Sequence, residues 1–298
     1  MSNRGEELAM NQIRVVMLLS ALTALLVWIG YALAGKSGLI IAIVLAGIMN
    51  LCTYWFSDRM VLRMYGARLM SADDAAGLHA IVKEIALRGN IPMPKLYLIP
   101  VEAPNAFATG RNPAHSSVAI TEGLIRMLTK NELAGVLAHE IGHIKNRDTL
   151  IMTLAATFAG ALSMVANMAM WGSFLGVSSS DDEDHGSSPL AGLIGILIAP
   201  IAAMLIQTSI SRSREFLADQ TGAHLSRNPL ALASALRNIS LYNQAGARQL
   251  GMPATAHLCI INPFSRSGLS RLFSTHPPTE VRIARLEQFA IRGVSQNS

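Results

Sequence analysis

The sequence predicts a mainly α-helical chain with a small β-sheet, in which four helices cross a membrane and the remainder folds beside it. Three observations predict this. Hydrophobic residues make up 51% of the 298 and charged residues 14%, against about a quarter charged in an ordinary soluble domain. The apolar residues are gathered into four blocks, 13–34, 39–56, 150–176 and 190–210, each near the roughly 20 residues that a helix needs to cross a bilayer. Between the second and third blocks stands His139-Glu140-Ile141-Gly142-His143, on a stretch whose apolar residues recur at helical spacing.

Taken in order, residues 1–12 are short and polar. Block 13–34 is too long for the apolar run of a signal peptide, and a second block follows at once. Gly35-Lys36-Ser37-Gly38 predicts a tight turn between the two. Arg4 and Arg14 stand at the start of the first block and Arg59, Arg63 and Arg68 after the second, with Lys36 alone between them. Cytoplasmic loops carry the excess of Lys and Arg, so the N-terminus and the segment after residue 57 are expected in the cytoplasm. Lys145 and Arg147 before the third block, and Arg212 and Arg214 after the fourth, give the same side for a second hairpin. The expected organisation is a membrane hairpin over 1–57, a catalytic segment over 58–148, a second membrane hairpin over 149–210 and a second catalytic segment over 211–298. Asp181, Asp182, Glu183, Asp184 and His185 read as a solvated loop of that second hairpin rather than as a cation site. Its two blocks hold no ionisable residue at mid-depth, which argues against transport.

Within 58–148, Leu78, Ile81, Val82 and Ile85 mark one face of a helix over 75–87. Short strands are predicted at 95–99, between prolines, and at 105–110 and 117–121 around Asn112-Pro113. The edge of such a sheet reads equally well as a plain structural hairpin and as a strand that holds substrate backbone.

The helix carrying the two histidines has Leu133, Val136, Leu137, Ile141 and Ile144 as its buried stripe, with Asn131 as its expected N-cap and Glu132 in its first turn. His139 and His143, four residues apart, project from one face and can share a metal ion. Glu140 is rotated by about 100°, beside the metal rather than on it. Zinc lowers the pKa of a bound water, and a carboxylate so placed can take its proton. A third ligand must come from elsewhere. The extended motif with a third histidine would need Gly and His at 146 and 149, where Asn146 and Thr149 stand. A downstream glutamate, Glu215, is the natural candidate, since both ligand helices would abut the same membrane face. Asp219, one turn on, is placed to hydrogen-bond a liganding histidine. A purely structural zinc would bring four ligands, usually including cysteine. Cys52 and Cys259 are both remote from the motif, so three ligands and an open position favour an enzyme over a zinc-stabilised binding protein. The two cysteines make no disulfide framework and fit a reducing compartment. His276, before two prolines, reads on its own as structural.

The net charge of +5 comes with no basic run interleaved with aromatics, so nucleic acid is not an expected partner. The Lys and Arg excess reads as topology on a lipid bilayer.

NAFATG (105–110), AHEIGHIKNRD (138–148), SREFLAD (213–219) and STHPPTEVRI (274–283) follow in order. Together they resemble the HtpX-type membrane zinc endopeptidases, gluzincin-like relatives of the CaaX prenyl endopeptidases. The resemblance covers essentially the whole chain and implies a zincin-like cytoplasmic catalytic domain with one Zn2+ per chain. It places His139, His143 and Glu215 on the zinc, Glu140 as general base and Asp219 behind the ligands. His276 and Arg282 would stabilise the oxyanion and brace the site, and Asn105 would bind substrate backbone. It further implies endoproteolysis of misfolded membrane proteins in stress-response quality control at the bacterial cytoplasmic (inner) membrane, overlapping with the protease FtsH. No phosphate-cradling glycine loop is read in the chain, so no ATP requirement is expected. Prenylated peptides, the substrates of the sister family, are the alternative substrate class.

Overall fold

The computed structural model describes residues 2–71, 75–157, 212–245, 258–260 and 277–295. Helix α1 (Ser2–Met64) is two helices joined by a break at Ala34 and Gly35. Gly35 has φ 57° and ψ −138°, a conformation that residues with a Cβ rarely adopt. The two arms fold back on each other: Asn50 Nδ2 donates to Thr23 Oγ1 at 2.8 Å, and Gly38 is buried with its backbone against Gly30. A helical hairpin therefore stands where a membrane hairpin was expected, turning one residue ahead of the Gly35–Gly38 run. Among the described residues one helix, Ala34–Met64, is long and apolar enough to cross a membrane, against four expected. Block 13–34 forms the other arm of the hairpin. The third block is helical over 149–157, and the rest of it, the fourth block and the acidic loop lie outside the described residues.

Gly30-Tyr31-Ala32-Leu33-Ala34-Gly35-Lys36-Ser37 spells the pattern of a phosphate-binding loop, which corrects the expectation that the chain contains none. Its surroundings are not those of such a loop. That motif needs a strand before it, whereas here the end of a helix precedes it and the run forms the turn of a helical hairpin.

Four strands follow: β1 (Arg68–Leu69), β2 (Lys95–Ile99), β3 (Ala106–Asn112) and β4 (His115–Thr121). They form a mixed sheet in the order β1-β2-β4-β3, with β2 and β4 parallel and the other pairs antiparallel. Helix α2 (Ala76–Gly89) ends on Asn90 in the left-handed conformation. Helices α3 (Glu122–Met127) and α4 (Lys130–Asn146) come next. The N-cap of α4 is Thr129 rather than Asn131: its hydroxyl accepts from the Glu132 N–H while the Glu132 carboxylate accepts from the Thr129 N–H. Such a capping box satisfies two donors that a helix start otherwise leaves open. Glu132 also accepts from Ser234 and Asn238, tying α4 to the helix that carries them. The chain resumes with α5 (Arg212–Ser226), α6 (Pro229–Gln244) and α7 (Thr279–Ser295).

Alternation along the strands sends their side chains to two cores. Leu96, Ala106, Ala108, Val118 and Ile120 join Leu137 and Ile141 of α4, with Leu232 and Leu236 of α6, in the larger core. Ile99, Phe107 and Ala119 face the other way, onto Val61 and Leu62 of α1 and Ile151 and Leu154 of segment 149–157. The sheet thus separates the histidine-bearing helix from the end of the apolar helix. Two glycines set how closely α4 and α5 approach: a Cβ on Gly222 would lie 2.8 Å from the backbone nitrogen of His139, and one on Gly142 3.0 Å from the Ala218 carbonyl oxygen.

Candidate metal centre

His139 and His143 lie one turn apart in α4, and both are buried. Their Nε2 atoms face each other at 3.2 Å. Glu215, in the first turn of α5, comes up against both because Gly142 and Gly222 let the two helices pack closely. Its carboxylate oxygens lie 3.7 Å from His139 Nε2 and 3.5 Å from His143 Nε2. One donor atom from each of the three falls within 4.8 Å of the others.

The other ring nitrogen of each histidine meets a carboxylate. His139 Nδ1 is 2.9 Å from Asp219 Oδ1, and His143 Nδ1 is 2.9 Å from Asp148 Oδ2. A carboxylate at Nδ1 keeps the proton there and leaves the Nε2 lone pair for a cation. With the Nε2 protons released, two lone pairs and a buried carboxylate converge on one point, which a divalent cation can occupy. Two imidazoles and a carboxylate are a common zinc donor set with a position left over. The residues present fit the ion.

Asp219 is itself gripped. Arg282 of α7 donates from Nε to Oδ2 at 2.8 Å and from a terminal nitrogen to Oδ1 at 2.7 Å, a bidentate pair. Burial works to raise the Asp219 carboxyl, but the Arg282 guanidinium outweighs it and, with His139, holds the group well below the usual carboxylate range. The other terminal nitrogen of Arg282 donates to the Ile260 carbonyl at 3.0 Å. Arg282 is 1% exposed, so a cation on a surface-seeking side chain lies wholly inside the protein. At the second histidine, burial would lower His143, yet Asp148, with Glu215 and Glu140, raises it to about 10.

Glu140 sits between the histidines and is 4% exposed. Its Oε2 accepts the Ala108 N–H of β3 at 2.8 Å, so the edge strand orients the carboxylate. Burial raises Glu140 above the usual glutamate value, against the pull of His139 and His143, which makes it a stronger base than a solvated carboxylate. The Gly110 N–H of the same strand donates to Thr153 Oγ1 at 3.3 Å. Two backbone donors along β3 are therefore already occupied by side chains of this chain.

The structure brings together His139, His143, Glu140, Glu215, Asp219 and Arg282. Asn105 stands just before β3, buried, where its Oδ1 accepts the Ile260 N–H at 3.1 Å and its Nδ2 donates to the Leu258 carbonyl at 3.5 Å. Its carboxamide is thus engaged by peptide backbone, that of residues 258–260 of the same chain. His276 lies outside the described residues. Sequence reasoning missed Asp148, although an acid five residues beyond the second histidine was a usable signal. Arg147 closes α4 in the left-handed conformation, φ 59°, and that turn swings Asp148 back beneath His143.

Comparison with known proteins finds a family and close relatives. Peptidase family M48 matches residues 72–290. A protein described as a protease HtpX homolog in Desulforapulum autotrophicum is 53% identical over 280 residues, covering 93% of this chain and 89% of the relative. One so described in Pyrococcus furiosus is 50% identical over 279 residues, covering 94% and 96%. Among solved structures, the crystal structure of S. mikatae Ste24p superposes with a TM-score of 0.51 at 17% identity. That likeness, one of fold, spans 94% of this chain and 66% of the other.

Proposed function

The chain belongs to peptidase family M48 and is a metallopeptidase, and we propose that it is a one-zinc endopeptidase whose substrates are membrane proteins. The observation that carries this reading is the convergence of the His139 and His143 Nε2 atoms and the Glu215 carboxylate, all buried, with Glu140 alongside. His139, His143 and Glu215 hold the ion. When bound, zinc supplies Lewis-acid polarisation of a carbonyl and makes water acidic enough to ionise near neutral pH. Asp219 and Asp148 keep the Nδ1 protons on the histidines and fix the rings. Glu140, oriented by the Ala108 N–H, takes the proton of the attacking water and returns it to the departing amine. Arg282 neutralises Asp219 and braces it against His139.

His276 is assigned to the oxyanion by family resemblance alone. Asn105 presents to residues 258–260 the same donor and acceptor that it would offer a bound peptide, which supports a backbone-binding role. The expected four-part organisation, the multi-pass placement in a bacterial cytoplasmic membrane and the cytoplasmic site rest on the four apolar blocks and on the distribution of Arg and Lys. Family resemblance alone supports quality control of misfolded proteins and overlap with FtsH, and independence of ATP rests on the missing strand before the glycine-lysine-serine run at 30–37.

The test is Glu140→Gln in detergent-purified protein. Zinc content is expected to stay at wild-type level while chelator-sensitive casein cleavage falls by about 10²–10⁴-fold, the usual contribution of a general base. Cleavage at the wild-type rate would remove Glu140 from the mechanism.

A further inference from the structure

We propose that this site cuts membrane-anchored chains at a fixed height above the bilayer, at bonds only a few residues from where the anchor leaves the membrane. The proposal rests on the peptidase reading and adds a substrate class to it.

The apolar run of α1 ends at Tyr54-Trp55-Phe56 and is followed by Ser57-Asp58-Arg59. Aromatic residues giving way to charge mark the boundary between bilayer and water. Trp55 and Phe56 are 47% and 46% exposed, free to lie in that boundary. Arg59 lies over the Phe56 ring at 5.6 Å. Arg111, on β3, lies over the Trp55 ring at 4.5 Å. The far end of β3 is therefore held at the level of the membrane surface.

The near end of the strand is pinned just past the top of the same helix, where the Phe107 ring lies 5.2 Å from the ring of Tyr65, whose N–H closes the last helical turn on the Val61 carbonyl. From Phe107 to Arg111, four strand residues span about 13 Å. From Tyr65 to Trp55, ten residues at helical rise span about 15 Å. The two lengths agree, so β3 runs down the side of the emerging helix rather than across it. Ala108, whose N–H holds the Glu140 carboxylate, is three residues up from Arg111. That places the carboxylate about 10 Å above the Trp55 level.

This height has little freedom to change. On its other side β3 is tied to segment 149–157, which follows α4 directly: Thr109 Oγ1 and Thr153 Oγ1 are 2.9 Å apart, and the Gly110 N–H reaches the same hydroxyl. An extended chain gains about 3.3–3.6 Å per residue. A substrate leaving the bilayer unfolded reaches the carboxylate after about three residues, or a few more if its path is oblique. The substrate class is thus a membrane-anchored chain with an unfolded segment directly beside its anchor.

The experiment uses full-length protein reconstituted in liposomes with a single-span substrate. After the span the substrate carries tandem copies of one casein-derived sequence, and an unstructured spacer of stepwise increasing length is placed ahead of them. Products are mapped by mass spectrometry. The expected result is a cut at a constant number of residues from the span, with the nearest copy cleaved on the order of tenfold faster than distant ones, as tethering to a fixed reach requires. Cuts that follow the casein sequence wherever the spacer puts it would overturn the proposal. Free casein in detergent, with and without chelator, is the parallel arm. Casein cleavage without positional preference in liposomes would sink the height rule and leave the peptidase. No cleavage in either arm would remove the peptidase reading, and the proposal with it.

Discussion

The two histidines of α4 face the same point but are supported from opposite scales of the chain. His143 is held by Asp148, five residues on, through the left-handed turn at Arg147. His139 is held by Asp219 of α5, which is held in turn by Arg282 of α7. One half of the centre exists as soon as a single helix and its turn form. The other exists only when three helices have docked, with Gly222 of α5 against the His139 backbone. A metal that needs both halves can bind tightly only once the fold is complete, so its binding free energy is linked to the packing of α5 and α7.

The largest expected effect breaks the long-range half. Arg282→Leu leaves the Asp219 carboxylate buried without its cation, a loss of about 3–5 kcal/mol. Denaturant unfolding in detergent should show it, together with a fall in zinc content. The local half should respond differently. Asp148→Ala is expected to weaken zinc binding by about 10–100-fold, the usual cost of losing a hydrogen-bond partner of a metal ligand, as read by chelator competition. Its unfolding midpoint should move far less than that of Arg282→Leu. If the two variants lose equal stability, the distinction between local and long-range support fails.

Acid and alkali sharpen the same contrast in the chelated protein. The Asp219 carboxyl is held below its ordinary value by folding. Its stabilisation is therefore present above the unfolded value of about 3.9 and is lost as pH falls below it. His143 is raised to about 10. Its contribution is full below the unfolded value of about 6.5 and is lost as pH rises toward the folded one. Unfolding midpoints against pH should show an acid limb that Asp219→Asn flattens and an alkaline limb that Asp148→Ala flattens. The smallest effect is a control at the other end of α4: Thr129→Ala should cost about 1 kcal/mol of stability and leave zinc affinity unchanged.

The same division explains what the sequence made legible. His139, Glu140 and His143 announce themselves by spacing on one helix. Glu215 followed from the need for a third ligand and from its place after an expected membrane hairpin. Strands β2, β3 and β4 were legible from β-rich runs bounded by prolines and a turn. Strand β1 is two residues long, too short for any alternation to register. The N-cap shifted from Asn131 to Thr129 because the Glu132 side chain, which returns to the cap, decides between two acceptable capping residues. Asp148 was missed because it lies beyond the helix end, and only the turn at Arg147 points it back. The hold of Asn105 on residues 258–260 joins positions about 155 apart, and no local pattern encodes such a pairing. The glycine-lysine-serine run at the tip of α1 shows the converse. A motif can be present in letters while the strand that gives it meaning is not.

The occupied edge of β3 bears on how the molecule behaves among its neighbours. The outer strand of a sheet is where another chain can add itself, and this is a common origin of aggregation. Here the Ala108 and Gly110 donors are taken by Glu140 and Thr153, and the strand is buried over most of its length. At the opposite edge, β1 offers only two residues. One edge is closed by occupancy and the other by brevity, so the sheet gives neighbouring copies little to pair with, even crowded together in the plane of a membrane.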